Sequence, residues 1–162
     1  MPLMDFVNNE DQVIGTCSKK EIYERHLLHR IVHVWVFGSD GRLLIQKRSR
    51  DCHFCPLHWS MAAGGHVDAG EDYETAAKRE LKEELGIEAL LTFVEKTRYL
   101  DPRGSEKFIS IFKTVHDGPF VYPADEVDSI RWVNKKDFEK ILANEPCHPQ
   151  LLKYADRFKP EV

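Results

Sequence analysis

Glu80, Glu83 and Glu84 stand within five positions, with Arg79 before them and Gly86 shortly after. In a helix, positions i, i+3 and i+4 share one face. Three carboxylates then crowd about one turn, and like charges at that spacing cost roughly a few tenths of a kcal/mol per pair. A cation between them would offset that cost. Hard divalent ions such as Mg2+ take several oxygen ligands and often share them with substrate phosphates. Gly64 and Gly65 precede the cluster and would let backbone N–H groups approach phosphate oxygens. Carboxylates over a glycine loop therefore suit a metal-bound diphosphate. The competing reading is a solvated helix face neutralised by Lys78 and Lys82, the ordinary fate of a Glu/Lys-rich helix. The glycine-rich lead-in and the tight turn Ala69-Gly70-Glu71 weigh against it.

A helix over 73–85 would carry these groups. Asp72 is placed to cap its start and Gly86 to stop it. Ala76 and Ala77 precede Glu80 by four and three residues, so small side chains line the arc beside it. Leu81 and Leu85 form a separate apolar stripe for the core. Arg79 and Glu83, four apart, can pair, which would fix the direction of the Glu83 carboxylate.

The rest of the chain supplies strands and further helices. Residues 4–15 read as two short strands around a polar turn, and 18–27 as a short helix capped by Ser18. Residues 31–37 read as a buried strand that returns through a turn at 39–41 into 42–48. A loop with Pro56 covers 49–58, and 59–67 reads as one small-residue strand. Strands are expected at 87–100, 107–116 and 130–133, and helices at 135–144 and 148–158, with Pro149 in a first turn. The irregular alternation points to an α+β class, a mixed sheet between helices.

The chain has 162 residues, 42% of them hydrophobic, which suits a single domain over 1–162. Net charge is -4 and no large basic run appears, which argues against a nucleic-acid duplex as partner. No apolar run approaches the roughly 18 residues that span a bilayer. The N-terminal stretch lacks the basic and apolar parts of a signal peptide. Four cysteines in a chain this long do not make a disulfide scaffold. A reduced, cytoplasmic setting is the expectation.

The stretch GHVDAGEDYETAAKRELKEELGI, residues 65–87, resembles the signature of the Nudix hydrolases. Gly65, Glu71, Arg79, Glu80, Leu81, Glu83, Glu84, Gly86 and Ile87 fill its constrained positions without exception. The resemblance implies an α/β/α sandwich with a mixed sheet. It implies that Glu80, Glu83 and Glu84 hold Mg2+ or Mn2+, with a strand-end carbonyl near Gly64 or Gly65 as a further ligand and Glu71 contributing through the metal or its water. Arg79 would orient a glutamate. The implied reaction is attack of water on phosphorus in a diphosphate joined to a group X. Many family members dimerise, so a homodimer is an admissible assembly.

Segments outside the signature, such as LLHRIVHVWVF and LHWSMAAGGHV, look like the branch related to type 1 isopentenyl diphosphate isomerase. That isomerase protonates an alkene with a cysteine whose place here is taken by Gly64. Its acidic segment is matched by Asp125-Glu126-Val127-Asp128, with Glu126 in the catalytic place. His29 and His66 match two of its metal histidines, and Ile22 stands where the third would be. The intact signature favours hydrolysis over isomerisation, and over a third alternative, a nucleotide sensor without turnover. A small nucleoside di- or triphosphate is the favoured substrate. Gly65, His66, Arg48 and Arg50 are candidate substrate contacts. Arg98, Arg103 and Lys107 flank a turn, where they could reach substrate or solubilise a hairpin. Cys52 and Cys55 form a CxxC with no second ligand pair, so two reduced thiols in a loop are the expectation.

Overall fold

The computed structural model describes residues 2–162, built around a seven-stranded mixed sheet. A hairpin precedes the sheet, β1 (Leu3–Val7) against β2 (Val13–Ser18). Ser18 Oγ accepts the Glu21 N–H and starts α1 (Lys19–Glu24), which is shorter than the 18–27 expected. β3 (His29–Phe37) is the central strand, and the chain turns back into β4 (Leu43–Arg48) through Gly41, whose φ of 86° suits glycine.

β3 and β4 pair only at Val36 with Leu44 and Phe37 with Leu43, and then diverge. The next segment fills the gap. β5 (Trp59–Met61) pairs with β4, whereas β6 (Ala63–His66) pairs with β3. The single strand expected over 59–67 is therefore two, with the change of partner at the buried Ala62. One straight strand cannot follow two diverging edges. The sheet forks here, and the fork positions the site.

Beyond β3 the sheet is continuous. β8 (Glu106–Val115) runs parallel to β3, and β7 (Thr92–Leu100) forms an antiparallel edge on β8. β9 (Val127–Val133) pairs with the far side of β4. Residues 87–91 were expected to be strand but are not. Thr92 is the first residue of that stretch to find a partner on β8, while Thr114 Oγ1 donates to Leu90 O and Val121 N–H donates to Leu85 O.

Alternation along β3 sends Val32, Val34 and Val36 to one face and Ile31 and Trp35 to the other. α2 (Tyr73–Leu85) covers the first face with Ala76, Ala77, Leu81 and Leu85, all fully buried. Burying each leucine contributes roughly 1.5–3 kcal/mol. α3 (Lys135–Asn144) and α4 (Pro149–Tyr154) cover the second face with Phe138, Ile141, Leu151 and Tyr154. The last helix was expected to reach 158 but tightens into a 3-10 turn at Ala155–Arg157. The result is the α/β/α sandwich expected.

Candidate active site

Local capping sets the register of α2. Asp72 Oδ1 accepts the Thr75 N–H at 2.7 Å, and Gly86 closes the helix with φ 68°. The buried alanines let the helix approach the sheet closely. A Cβ on Gly65 would lie 2.3 Å from Glu80 Oε1, so the glycine makes room for that carboxylate.

Glu84 enters the fork. Its Oε2 accepts the Gly64 N–H at 2.8 Å, and its Oε1 accepts from Gln46 Nε2 at 3.2 Å. Gln46 also donates to Ala62 O, at the point where the strand changes partner. Burial raises the Glu84 carboxyl well above the ordinary range, and the nearby Glu80 raises it further. Glu80 is pushed up to about 7, first by burial, against the opposing pull of Arg79.

Arg79 gathers the other acids. Its Nε and Nη2 donate to the two oxygens of Glu71 at 2.8 Å each, and Nη1 donates to Glu80 at 3.0 Å and Glu83 at 3.4 Å. Nη2 also reaches His66 O at 2.9 Å. Glu71 Oε1 further accepts the Asp68 N–H, so both its oxygens are committed. The Arg79 hydrogen bonds hold Glu71 below its usual range. Glu83 is half exposed.

A cavity of about 600 Å³ opens in the fork. Gly64, Gly65, His66, Glu84, Glu126 and Arg48 all line it, so two halves of the predicted site meet there. Glu126 comes from the loop before β9, and burial together with Asp125 and Glu83 raises its carboxyl. Arg48 Nε donates to Phe54 O, which ties the arginine to the 49–58 loop. Arg50 does not belong with this group: it is exposed, two residues past the end of β4, and does not line the cavity. Gly64 meets Glu84 through its N–H. His66 lines the cavity but is engaged at Nε2 by Tyr23 Oη at 2.6 Å, and burial holds it neutral. Among the described residues, no three His, Cys, Asp or Glu side chains already converge as a metal cage.

Sequence reasoning missed Gln46, Tyr23, His33 and Gln150. Gln46 had a signal, an uncharged polar residue directly after the apolar Leu43-Leu44-Ile45 of β4. His33 Nε2 meets Gln150 Oε1 at 2.7 Å across 117 positions, a pairing that no local pattern announces.

The NUDIX domain profile matches residues 27–155. The uncharacterized Nudix hydrolase PA4841 of Pseudomonas aeruginosa is 34% identical over 81% of this chain and 78% of its own length. The uncharacterized Nudix hydrolase all7351 of a Nostoc species is 32% identical over 98% of this chain and 96% of its own. The crystal structure of DR0079 from Deinococcus radiodurans superposes with a TM-score of 0.84 at 24% identity, covering 96% of this chain and 98% of that one. The fold, the fork with its carboxylates and these relatives agree: the chain belongs to the Nudix hydrolase family.

Proposed function

We propose that the protein is a metal-dependent hydrolase that cleaves a phosphoanhydride bond by attack of water on phosphorus, with a nucleoside di- or triphosphate as the favoured substrate. The observation that carries this reading is the pair Glu80 and Glu84, desolvated side by side at the fork with raised carboxyls. Two acids held in that state are costly when ionised and lack a full set of cationic partners. The donor chemistry fits Mg2+ or Mn2+, with Glu80, Glu84 and the neighbouring Glu83 as the residues that would hold it. Such an ion, when bound, neutralises phosphate charge and lowers the pKa of water.

The chain's own residues supply the rest. Gly64 N–H and Gln46 fix the direction of Glu84. Arg79 fixes Glu80 and Glu83, and is itself braced by Glu71. Glu126 faces the cavity with a raised carboxyl, which suits it to accept a proton from the attacking water. Gly64 stands where an isomerase would need a proton-donating cysteine, so alkene protonation has no donor there.

The test is product analysis with Mg2+ or Mn2+ over nucleoside di- and triphosphates, nucleotide sugars, dinucleotides and isopentenyl diphosphate. Metal-dependent release of phosphate or a nucleotide from one class is expected. Saturable nucleotide binding without turnover of any member would replace this reading with a sensor.

A further inference from the structure

The cavity has a second pole that the hydrolytic reading does not use. Lys107 lies at the start of β8 with its side chain only 4% exposed, yet it lines the cavity. Its ammonium has three donors to satisfy. Among the described residues its contacts are Tyr23 Oη at 3.3 Å and Asp101 Oδ2 at 3.6 Å. The second is too long for a good hydrogen bond. Asp101 is already taken: Arg103 reaches Oδ2 through Nε at 3.1 Å and Nη2 at 2.7 Å, and its N–H reaches Oδ1 at 2.6 Å. A buried ammonium with such poor acceptors is expensive unless an acceptor arrives.

Two further cations face the same space, Arg103 and Lys19. Arg103 is held ready, chelated to Asp101 and stacked 4.0 Å from the Phe54 ring centroid. Against three cations this end of the cavity sets one acid in contact, Asp101.

This pole is well separated from the carboxylates. Lys107 lies level with His29 on β3, whereas Gly64, which anchors Glu84, lies level with His33 four residues on. That offset is about 13 Å along the strand, and β8 and β6 are about 10 Å apart across β3. The acid wall and the cationic wall therefore address different parts of one ligand.

We propose that Lys107 and Arg103 form an anion subsite that selects diphosphates whose group X carries a second anionic group, a phosphate or a carboxylate, remote from the bond that is cut. This rests on the hydrolase reading for its substrate but not for its binding. A ligand anion would give the Lys107 ammonium the acceptors it lacks, and the planar Arg103 fork would take the same group from the cavity mouth.

The experiment compares matched pairs that differ only in the remote anion. ADP is paired with adenosine 3′-phosphate 5′-diphosphate for phosphate, and UDP-glucose with UDP-glucuronate for carboxylate. The wild type should favour the anionic member of at least one pair by about tenfold or more in kcat/KM, and the pair that responds names the anion. Lys107→Met and the half-exposed Arg103→Gln should each bring that ratio towards one. An equal or inverted preference in the wild type, or a preference untouched by both variants, would overturn the subsite. A second arm needs no turnover: AMP and adenosine 3′,5′-bisphosphate, neither with an anhydride, are titrated by calorimetry. Tighter binding of the bisphosphate, lost in Lys107→Met or Arg103→Gln, would uphold the subsite even if no diphosphate is cleaved and the hydrolase reading fails. Equal binding of the two, with no preference for the anionic member in either substrate pair, would overturn it.

Discussion

The inner side of α2, where Glu84 meets the fork, and its outer side, where Arg79 clasps Glu71, hold the same residue type in opposite settings. Inside, burial dominates, and the carboxyls of Glu80 and Glu84 are pushed up. Outside, a guanidinium dominates, and Glu71 is pulled down. One region holds carboxyls whose ionisation burial opposes, and the other spends its charge on internal hydrogen bonds. The difference separates acids held desolvated from acids that brace the helix.

The sharpest way to break that comparison is Glu84→Gln. It removes a charge that the fold holds desolvated, so kcat/KM should fall on the order of a hundredfold or more while stability without metal is kept or raised. Retained turnover, by steady-state kinetics, would place the reacting phosphate elsewhere. Next comes Arg79→Gln on the bracing side. Glu71 and Glu80 lose their shared cation, and we expect about 10–100-fold less activity together with roughly 2 kcal/mol less stability in denaturant titration. A loss of activity with no loss of stability would contradict a bracing role.

A gentler probe is pH. The folded-state carboxyl of Glu80 titrates at about 7, above its ordinary 4.5. The folded state therefore binds the proton more tightly, and this group's contribution is fully present below about 4.5 and lost as pH rises through about 7. Metal-free wild type should show that fall relative to Glu80→Gln in thermal melts, and parallel curves would refute it. The affinity for Mg2+ should rise over the same window, since ion and proton compete for the carboxylate. The smallest stability effect belongs to Glu83→Gln. Its half-exposed side chain should change unfolding free energy by no more than about 0.5 kcal/mol, with a smaller loss of turnover than Glu84→Gln. A larger stability change would move Glu83 into the bracing group.

What was legible in the chain was what local chemistry decides. Both ends of α2 were readable because Asp72 and Gly86 act on their immediate neighbours. The division of 59–67 was not, because the change of partner at Ala62 depends on where β3 and β4 part. Residues 87–91 run without a break into β7 in the sequence, but the β8 ladder begins only at Thr92. The same limit applies within the site. Spacing grouped the signature glutamates, but it could not show that Glu71 is consumed by Arg79 or that Arg50 does not line the cavity. Those outcomes depend on side-chain direction after packing.

The fork also bears on how such a protein can be altered. Its walls are ladder strands and one helix: inserting a single residue flips every following side chain of a strand to the other face and turns those of a helix by about 100°. Its rim is made of connecting segments, the 49–58 loop, the turn at 101–105 and the stretch before β9. Those segments tolerate changes of length far better. The molecule is therefore a fixed socket with an exchangeable collar. Swapping collar segments between relatives should redirect which substrate is accepted without re-engineering the hydrolytic centre.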